Sequence, residues 1–255
     1  MGILSFAILA LVAFVSALIQ SATGFGFAIF AIPIFLVVLN SLAAVQIIAV
    51  ANFALSIVLL PWLWRNVPKK PLFVLVAGST IGFPIGLWLF LNSDVTIAKL
   101  VAGAIITFMA VFLGIREFRN RGNGDNDGTV FDFNNPITLS GLSIGVISGI
   151  LGGALAMPGP AVMIYFISIR VAKAEARSIT LTLFAYSYGV IVLLHTLWGG
   201  MNQSTWLQAL QFIPFVFLGA WTGNIVSRKL SEDGFKIAVL LILAVSGFYA
   251  VWTAL

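Results

Sequence analysis

The chain has 255 residues, of which 61% are hydrophobic and 8% charged, with a formal net charge of +5 and no cysteine. A soluble domain carries roughly 45–50% apolar and about 25% charged residues, so this composition excludes one. The apolar runs are continuous rather than alternating, which excludes an outer-membrane barrel, and the lack of cysteine excludes a disulfide framework or thiolate metal site.

The first apolar stretch follows Met1-Gly2-Ile3-Leu4, with no basic n-region and no small-residue cleavage site, and is expected to be mature protein rather than a signal peptide. A spanning helix needs about 20 predominantly apolar residues. On that basis the first half holds segments at 3–19, 25–39, 42–64, 71–91 and 97–116. A polar stretch from Asn120 to Gly128 follows, with the composition of a solvated linker. The second half holds segments at 137–151, 158–169, 176–198, 204–227 and 234–254. The predicted fold is an all-α polytopic membrane protein of two five-segment inverted repeats, with short broken helices at the centre. Its parts are a first repeat over 1–119, a cytoplasmic linker over 120–135 and a second repeat over 136–255.

Sidedness follows from the basic residues. Arg65, Lys69 and Lys70 follow the third segment, and Arg116, Arg119 and Arg121 the fifth. Arg170, Lys173 and Arg177 follow the seventh, and Arg228, Lys229 and Lys236 the ninth; only Lys99 falls elsewhere. Basic loops stay cytoplasmic, so both termini and the uncharged turn at Gly199–Asn202 are expected outside a multi-pass protein of the inner (plasma) membrane. The charge then serves topology, and no nucleic-acid partner is expected.

The halves resemble each other. Gly82-x-x-x-Gly86 with Lys99 thirteen residues later matches Gly219-x-x-x-Gly223 with Lys236 thirteen residues later. An odd number of segments per half makes the repeats inverted, a common transporter design. The paired glycines suit close helix packing.

The first two segments of each half are short. A 15-residue helix reaches about 22 Å at ~1.5 Å per residue, less than the ~30 Å hydrocarbon core. Their junctions read Gln20-Ser21-Ala22-Thr23-Gly24-Phe25-Gly26 and Gly149-Ile150-Leu151-Gly152-Gly153. Glycine lets the chain turn without a Cβ clash, and Pro33 and Pro158 disfavour continued regular helix. Paired breaks of this kind are the best sequence pointer to a transport site, because each leaves backbone N–H groups at the positive end of the next helix dipole. The candidate anion-binding residues are Gln20, Ser21, Thr23, Gly24, Phe25 and Gly26 on one side. Gly152, Gly153 and Ala154 lie on the other. Arg177, which aligns with Gln46 of the third segment, adds a counter-charge or else snorkels to the interface.

All eight acids (Asp94, Glu117, Asp125, Asp127, Asp132, Glu175, Glu232 and Asp233) fall in loops or at segment ends. A carboxylate relay for protons or sodium therefore has no candidate. Asn52, Tyr186, Ser187 and Tyr188 are further polar residues within segments. His195 is expected at the interface, and the tryptophans near segment ends match aromatic belts. Gly141-Leu142-Ser143-Ile144-Gly145 fits G-x-S-x-G but lacks the strand–turn–helix context; it leaves a Ser143–His195 hydrolase as one alternative, a non-transporting assembly subunit being the other. Asn123-x-Asp125-x-Asp127-Gly128 lacks a calcium loop's final glutamate, Asn134 standing there. No P-loop is present, and no cofactor or metal is expected.

The duplicated Gly-rich break followed by proline, at Gly24–Pro33 and Gly152–Pro158, resembles the TauE/SafE (sulfite exporter) family of membrane permeases, as do the G-x-x-x-G helices with a basic residue downstream. The resemblance spans nearly the whole chain. It implies a non-enzymatic transporter of sulfite, organosulfonates or related organic acids, in which one repeat moves against the other. The expected partners are the small anion and the lipid bilayer, with a homodimer allowed.

Overall fold

The computed structural model describes residues 2–64, 67–120, 138–169 and 171–226. These form nine helices, with no strand among the described residues: α1 (Ile3–Thr23), α2 (Phe27–Leu39), α3 (Ala43–Leu63), α4 (Lys69–Leu91), α5 (Val95–Asn120), α6 (Thr138–Leu155), α7 (Gly159–Ser168), α8 (Lys173–Leu197) and α9 (Gln203–Val226). Five of them are long and apolar enough to cross a membrane. This is an all-helical, multi-pass membrane protein, as the apolar runs require: lipid offers no partner for backbone N–H and C=O groups, so each segment must satisfy its own. The predicted tenth segment, the linker and the calcium-like stretch lie outside the described residues.

Two helices are short. With 13 residues in α2 and 10 in α7, they reach only about 20 and 15 Å. Each follows a longer helix after a three-residue break. Pro33, expected to disfavour regular helix, lies inside α2 without ending it.

Close packing follows the small residues. Gly78, Gly82 and Gly86 of α4 lie against the backbone of α6 at Gly145, Gly149 and Gly153, where an added methyl on any of the three would fall under 3.0 Å from main-chain atoms. Gly219 and Gly223 of α9 make the corresponding approach to Phe14, Ala17 and Leu18 of α1. The correspondence is close. Gly82 meets the Val146 carbonyl where Gly219 meets that of Phe14, and Gly86 meets the Ile150 carbonyl where Gly223 meets that of Leu18. Ser21 Oγ donates to the Ala220 carbonyl at 2.9 Å, where Gly153 faces that of Phe83. Backbone approach of this kind is how membrane helices gain packing energy when no hydrophobic force distinguishes partner from lipid.

The remaining contacts obey the same pairing. α3 packs on α9 as α8 packs on α4; α1 on α2 as α6 on α7; α2 on α3 as α7 on α8. At the centre α3 and α8, the most enclosed of the long apolar helices, run in opposite directions. Gln46 near the start of α3 donates to the Gly199 carbonyl just past the end of α8 at 2.7 Å, while Phe53 covers Gly189.

Candidate functional site

The first break is built from two left-handed glycines. Gly24 (φ 92°) ends α1, its N–H donating to the Gln20 carbonyl at 2.8 Å, and Gly26 (φ 113°) opens α2. A side chain at either would be strained, so glycine is required here. Thr23 closes the turn. Its hydroxyl lies 2.8 Å from the Ile19 carbonyl and 2.7 Å from the Phe25 carbonyl, donating to one at a time, and accepts the Phe25 N–H at 3.3 Å.

At the start of α2, the Phe27 N–H donates to Gln20 Oε1 at 3.2 Å. The next two N–H groups, of Ala28 and Ile29, precede the first intrahelical bonds and have no partner among the described residues, although both residues are buried. They point along the positive end of the helix dipole.

Arg177 crosses this break. One turn into α8, it lays its stem over Gly24, where an added methyl would stand 2.6 Å from Arg177 Cγ. Its Nη2 donates to the Ser21 carbonyl at 2.7 Å, so the guanidinium caps the carbonyl end of α1. Its Nε is buried with no hydrogen-bond partner. The structure thus brings together Gln20, Ser21, Thr23, Gly24, Phe25, Gly26 and Arg177. It also occupies three of their polar groups: Gln20 Nε2 with Asn52 Oδ1 (2.6 Å), Ser21 Oγ with Ala220, and Thr23 within the turn. These side chains shape the break, while unpartnered donors remain on the α2 backbone and on Arg177.

The second break departs from expectation. Gly152, Gly153 and Ala154 do not form it; they lie in the last turns of α6, which continues to Leu155. Within that helix Gly153 lies against the α4 backbone, and Gly152 against the side chains of Ile191 and Phe83. The turn comes at Ala156, which takes a left-handed φ of 51°, followed by Met157 and Pro158. Proline sets it, since Pro158 brings no N–H and disfavours helix in the residue before it. Pro160 in the first turn of α7 removes a second donor, so this break offers an anion fewer N–H groups than the first.

Side chains also fix this second break. Ser148 Oγ donates to the Pro158 carbonyl at 2.8 Å, and the Tyr188 hydroxyl to the Ala156 carbonyl at 3.0 Å. His195 lies two residues from the end of α8, enclosed by the protein against the Phe90 ring, with Nε2 2.9 Å from the Gly153 carbonyl. A carbonyl only accepts, so Nε2 carries the proton. One helix, α8, therefore caps both interrupted helices: Arg177 near its start serves α1, and His195 near its end serves α6.

The two breaks differ in exposure. Thr23, Phe25 and Arg177 are partly exposed, whereas Leu155–Val162 are continuously buried. Gln46, aligned with Arg177 in sequence, sits at the opposite end of α8 and away from the first break. Lys99 is likewise elsewhere, donating at 2.7 Å to Asn40, the left-handed residue that ends α2.

Ser143 is exposed on α6 and bonded to the Ser140 carbonyl. It lies ten residues, or about 15 Å, along the helix from Gly153, which His195 contacts. The two do not form a nucleophile–base pair.

A family model described as Sulfite exporter TauE/SafE matches residues 9–250. No curated protein and no solved structure matches the chain.

Proposed function

The chain belongs to the TauE/SafE sulfite exporter family, whose members move small anions across membranes, and from that premise we propose that it carries sulfite, an organosulfonate or a related organic acid by alternating access. The observation that carries this reading is the juxtaposition at the first break: two buried, unpartnered N–H groups at the start of α2 and a guanidinium with a free, buried Nε. Oxyanions offer several acceptor oxygens, and donors fixed by a helix terminus plus an arginine suit them.

The mechanism uses both breaks in turn. With the basic segment ends on the cytoplasmic side, partial exposure at Thr23, Phe25 and Arg177 corresponds to a form open inward, while the buried Ala156–Pro158 turn closes the outer path. The recurring contacts and the opposed directions of α3 and α8 support reading the halves as inverted repeats. Because α1 is seated on α9 and α4 on α6, the moving bodies mix helices from both halves.

The test is flux of labelled sulfite, a short alkyl sulfonate and a small dicarboxylate into proteoliposomes. Saturable uptake of at least one, lost in Arg177→Gln protein that still folds, is expected. Flux equal in empty and loaded liposomes for every anion would remove the proposal.

A further inference from the structure

The helix seams fix a residue-by-residue register between the two breaks. Gly219 and Gly223 meet Phe14 and Leu18 as Gly82 and Gly86 meet Val146 and Ile150. Carried forward without a gap, the same offset pairs Gln20 with Gly152, Gly24 with Ala156 and Gly26 with Pro158. The backbone obeys it. Gly24 and Ala156 are both left-handed, with φ of 92° and 51°, and their N–H groups donate to the Gln20 and Gly152 carbonyls, each at 2.8 Å.

This register pairs Ser16 of α1 with Ser148 of α6, and both are buried. A serine inside a helix often turns its hydroxyl back to the carbonyl four residues earlier. Ser148 instead donates across its break to the Pro158 carbonyl at 2.8 Å. The matching acceptor for Ser16 is the Gly26 carbonyl, which here takes the Phe30 N–H at 3.0 Å. Ser16 Oγ has no partner among the described residues. A buried hydroxyl left unbonded costs free energy, so this form alone gives no reason to prefer serine over alanine.

One torsion separates the two acceptors. Gly26 and Pro158 share a ψ of −19°, but φ is 113° at Gly26 and −69° at Pro158, half a turn away. Glycine takes either sign of φ about equally well, whereas the proline ring holds φ near −65°. The first break can therefore adopt the geometry of the second, and the second cannot adopt that of the first.

We propose that Ser16 is a positioning residue for a closed form of the first break. Gly26 turns to negative φ, α2 pivots on α1 until the Gly26 carbonyl meets Ser16 Oγ, and Phe25 becomes enclosed as Met157 is at the second break. Alternating access requires the inward path to close, and the second break shows how a closed break is built in this chain. Because Pro158 is fixed, the second break opens by movement of its helices with the turn intact. The proposal rests on the alternating-access reading, but the turn at Gly26 can be measured without any anion.

The chain contains no cysteine, and Phe25 is partly exposed where Met157 is fully buried. Alkylation of a Phe25→Cys reporter by N-ethylmaleimide in nanodiscs thus reports the open form. Gly26→Ala disfavours positive φ, and its methyl meets the side chains of Ile19 and Phe30 rather than backbone. It should slow labelling about fivefold or more, the population shift that a left-handed penalty implies. In that background Ser16→Ala should restore most of the labelling rate, and Ser16→Thr, which keeps a hydroxyl, should not. Ser16→Ala alone breaks no bond of the open form, so it should leave the unfolding temperature unchanged or higher while anion flux falls. Ser148→Ala, which loses a bond already made, should lower it.

Elution profile and thermal unfolding identify variants that retain the fold. Labelling unchanged by folded Gly26→Ala protein, or slowed equally with and without Ser16→Ala, overturns the proposal. Should Gly26→Ala not fold, Ser16→Ala decides alone: unchanged flux, or reduced flux with a lowered unfolding temperature, overturns it. Labelling that follows the pattern in a protein that carries neither sulfite, a short alkyl sulfonate nor a small dicarboxylate keeps the turn at Gly26 and removes the transport reading.

Discussion

Arg177 rests on Gly24, and no atom larger than hydrogen fits between them: a methyl group at Gly24 would lie 2.6 Å from the Arg177 Cγ. The glycine therefore does two things at once. It takes a φ of 92° that other residues resist, and it lets the guanidinium reach the end of α1.

Gly24→Ala should then displace Arg177 as well as strain the turn. Backbone strain of this kind costs of order 1–3 kcal/mol, so unfolding in detergent should occur at lower temperature. Anion flux should fall at least tenfold in protein that remains folded. Flux within twofold of wild type would separate this break from transport.

Arg177→Lys keeps the charge but not the forked donor geometry. It should retain most stability, since a cation near a helix C-terminus contributes about 0.3–1 kcal/mol and up to ~2 when partly buried, yet raise the half-saturating anion concentration. Arg177→Gln should abolish flux. Equal transport by both variants would relegate Arg177 to a structural cap.

Gly82→Ala and Gly219→Ala probe the two helix seams. Each inserts a methyl into backbone that has no side chain to yield, and overpacking typically costs 1–3 kcal/mol. The expected result is a similar loss of thermal stability from both, at equivalent places in the two halves. An unchanged melting temperature for either would show that its seam opens readily.

Ser143→Ala should change neither flux nor stability, being an exposed substitution within about 0.5 kcal/mol. His195→Leu should destabilise the protein by about 1–3 kcal/mol, because the Gly153 carbonyl would stay buried without its donor. Hydrolytic activity lost in both variants would revive the Ser143–His195 enzyme.

Much of the fold could be read directly, because lipid forces each apolar run into a self-satisfied helix. The first break was legible for the same reason that it forms: Gly24 and Gly26 stand where a left-handed turn is needed. The second was misplaced because glycine has two uses. Gly145, Gly149 and Gly153 share the four-residue spacing of Gly78, Gly82 and Gly86, and that spacing marks a packing face; Pro158 was the true stop. Gln20, Ser21 and Thr23 were recognisable as polar residues at a junction. Their partners, Asn52, Ala220 and the local turn, depend on helix neighbours that no spacing reveals. His195 stands near a segment end as expected, but that nearness does not show that α6 and Phe90 enclose it.

The pairing of α1 with α9 also bears on how the protein is made. α1 finds its main small-residue partner, α9, only once the chain has been extended as far as Gln203 and beyond, whereas α4 meets α6 far sooner. Until then α1 must wait in the bilayer, held by its own apolar surface and by α2 and α3. That seam is therefore a late, long-range closure, and a shortened chain ending before Gln203 would leave α1 without the surface on which Ser21 is anchored.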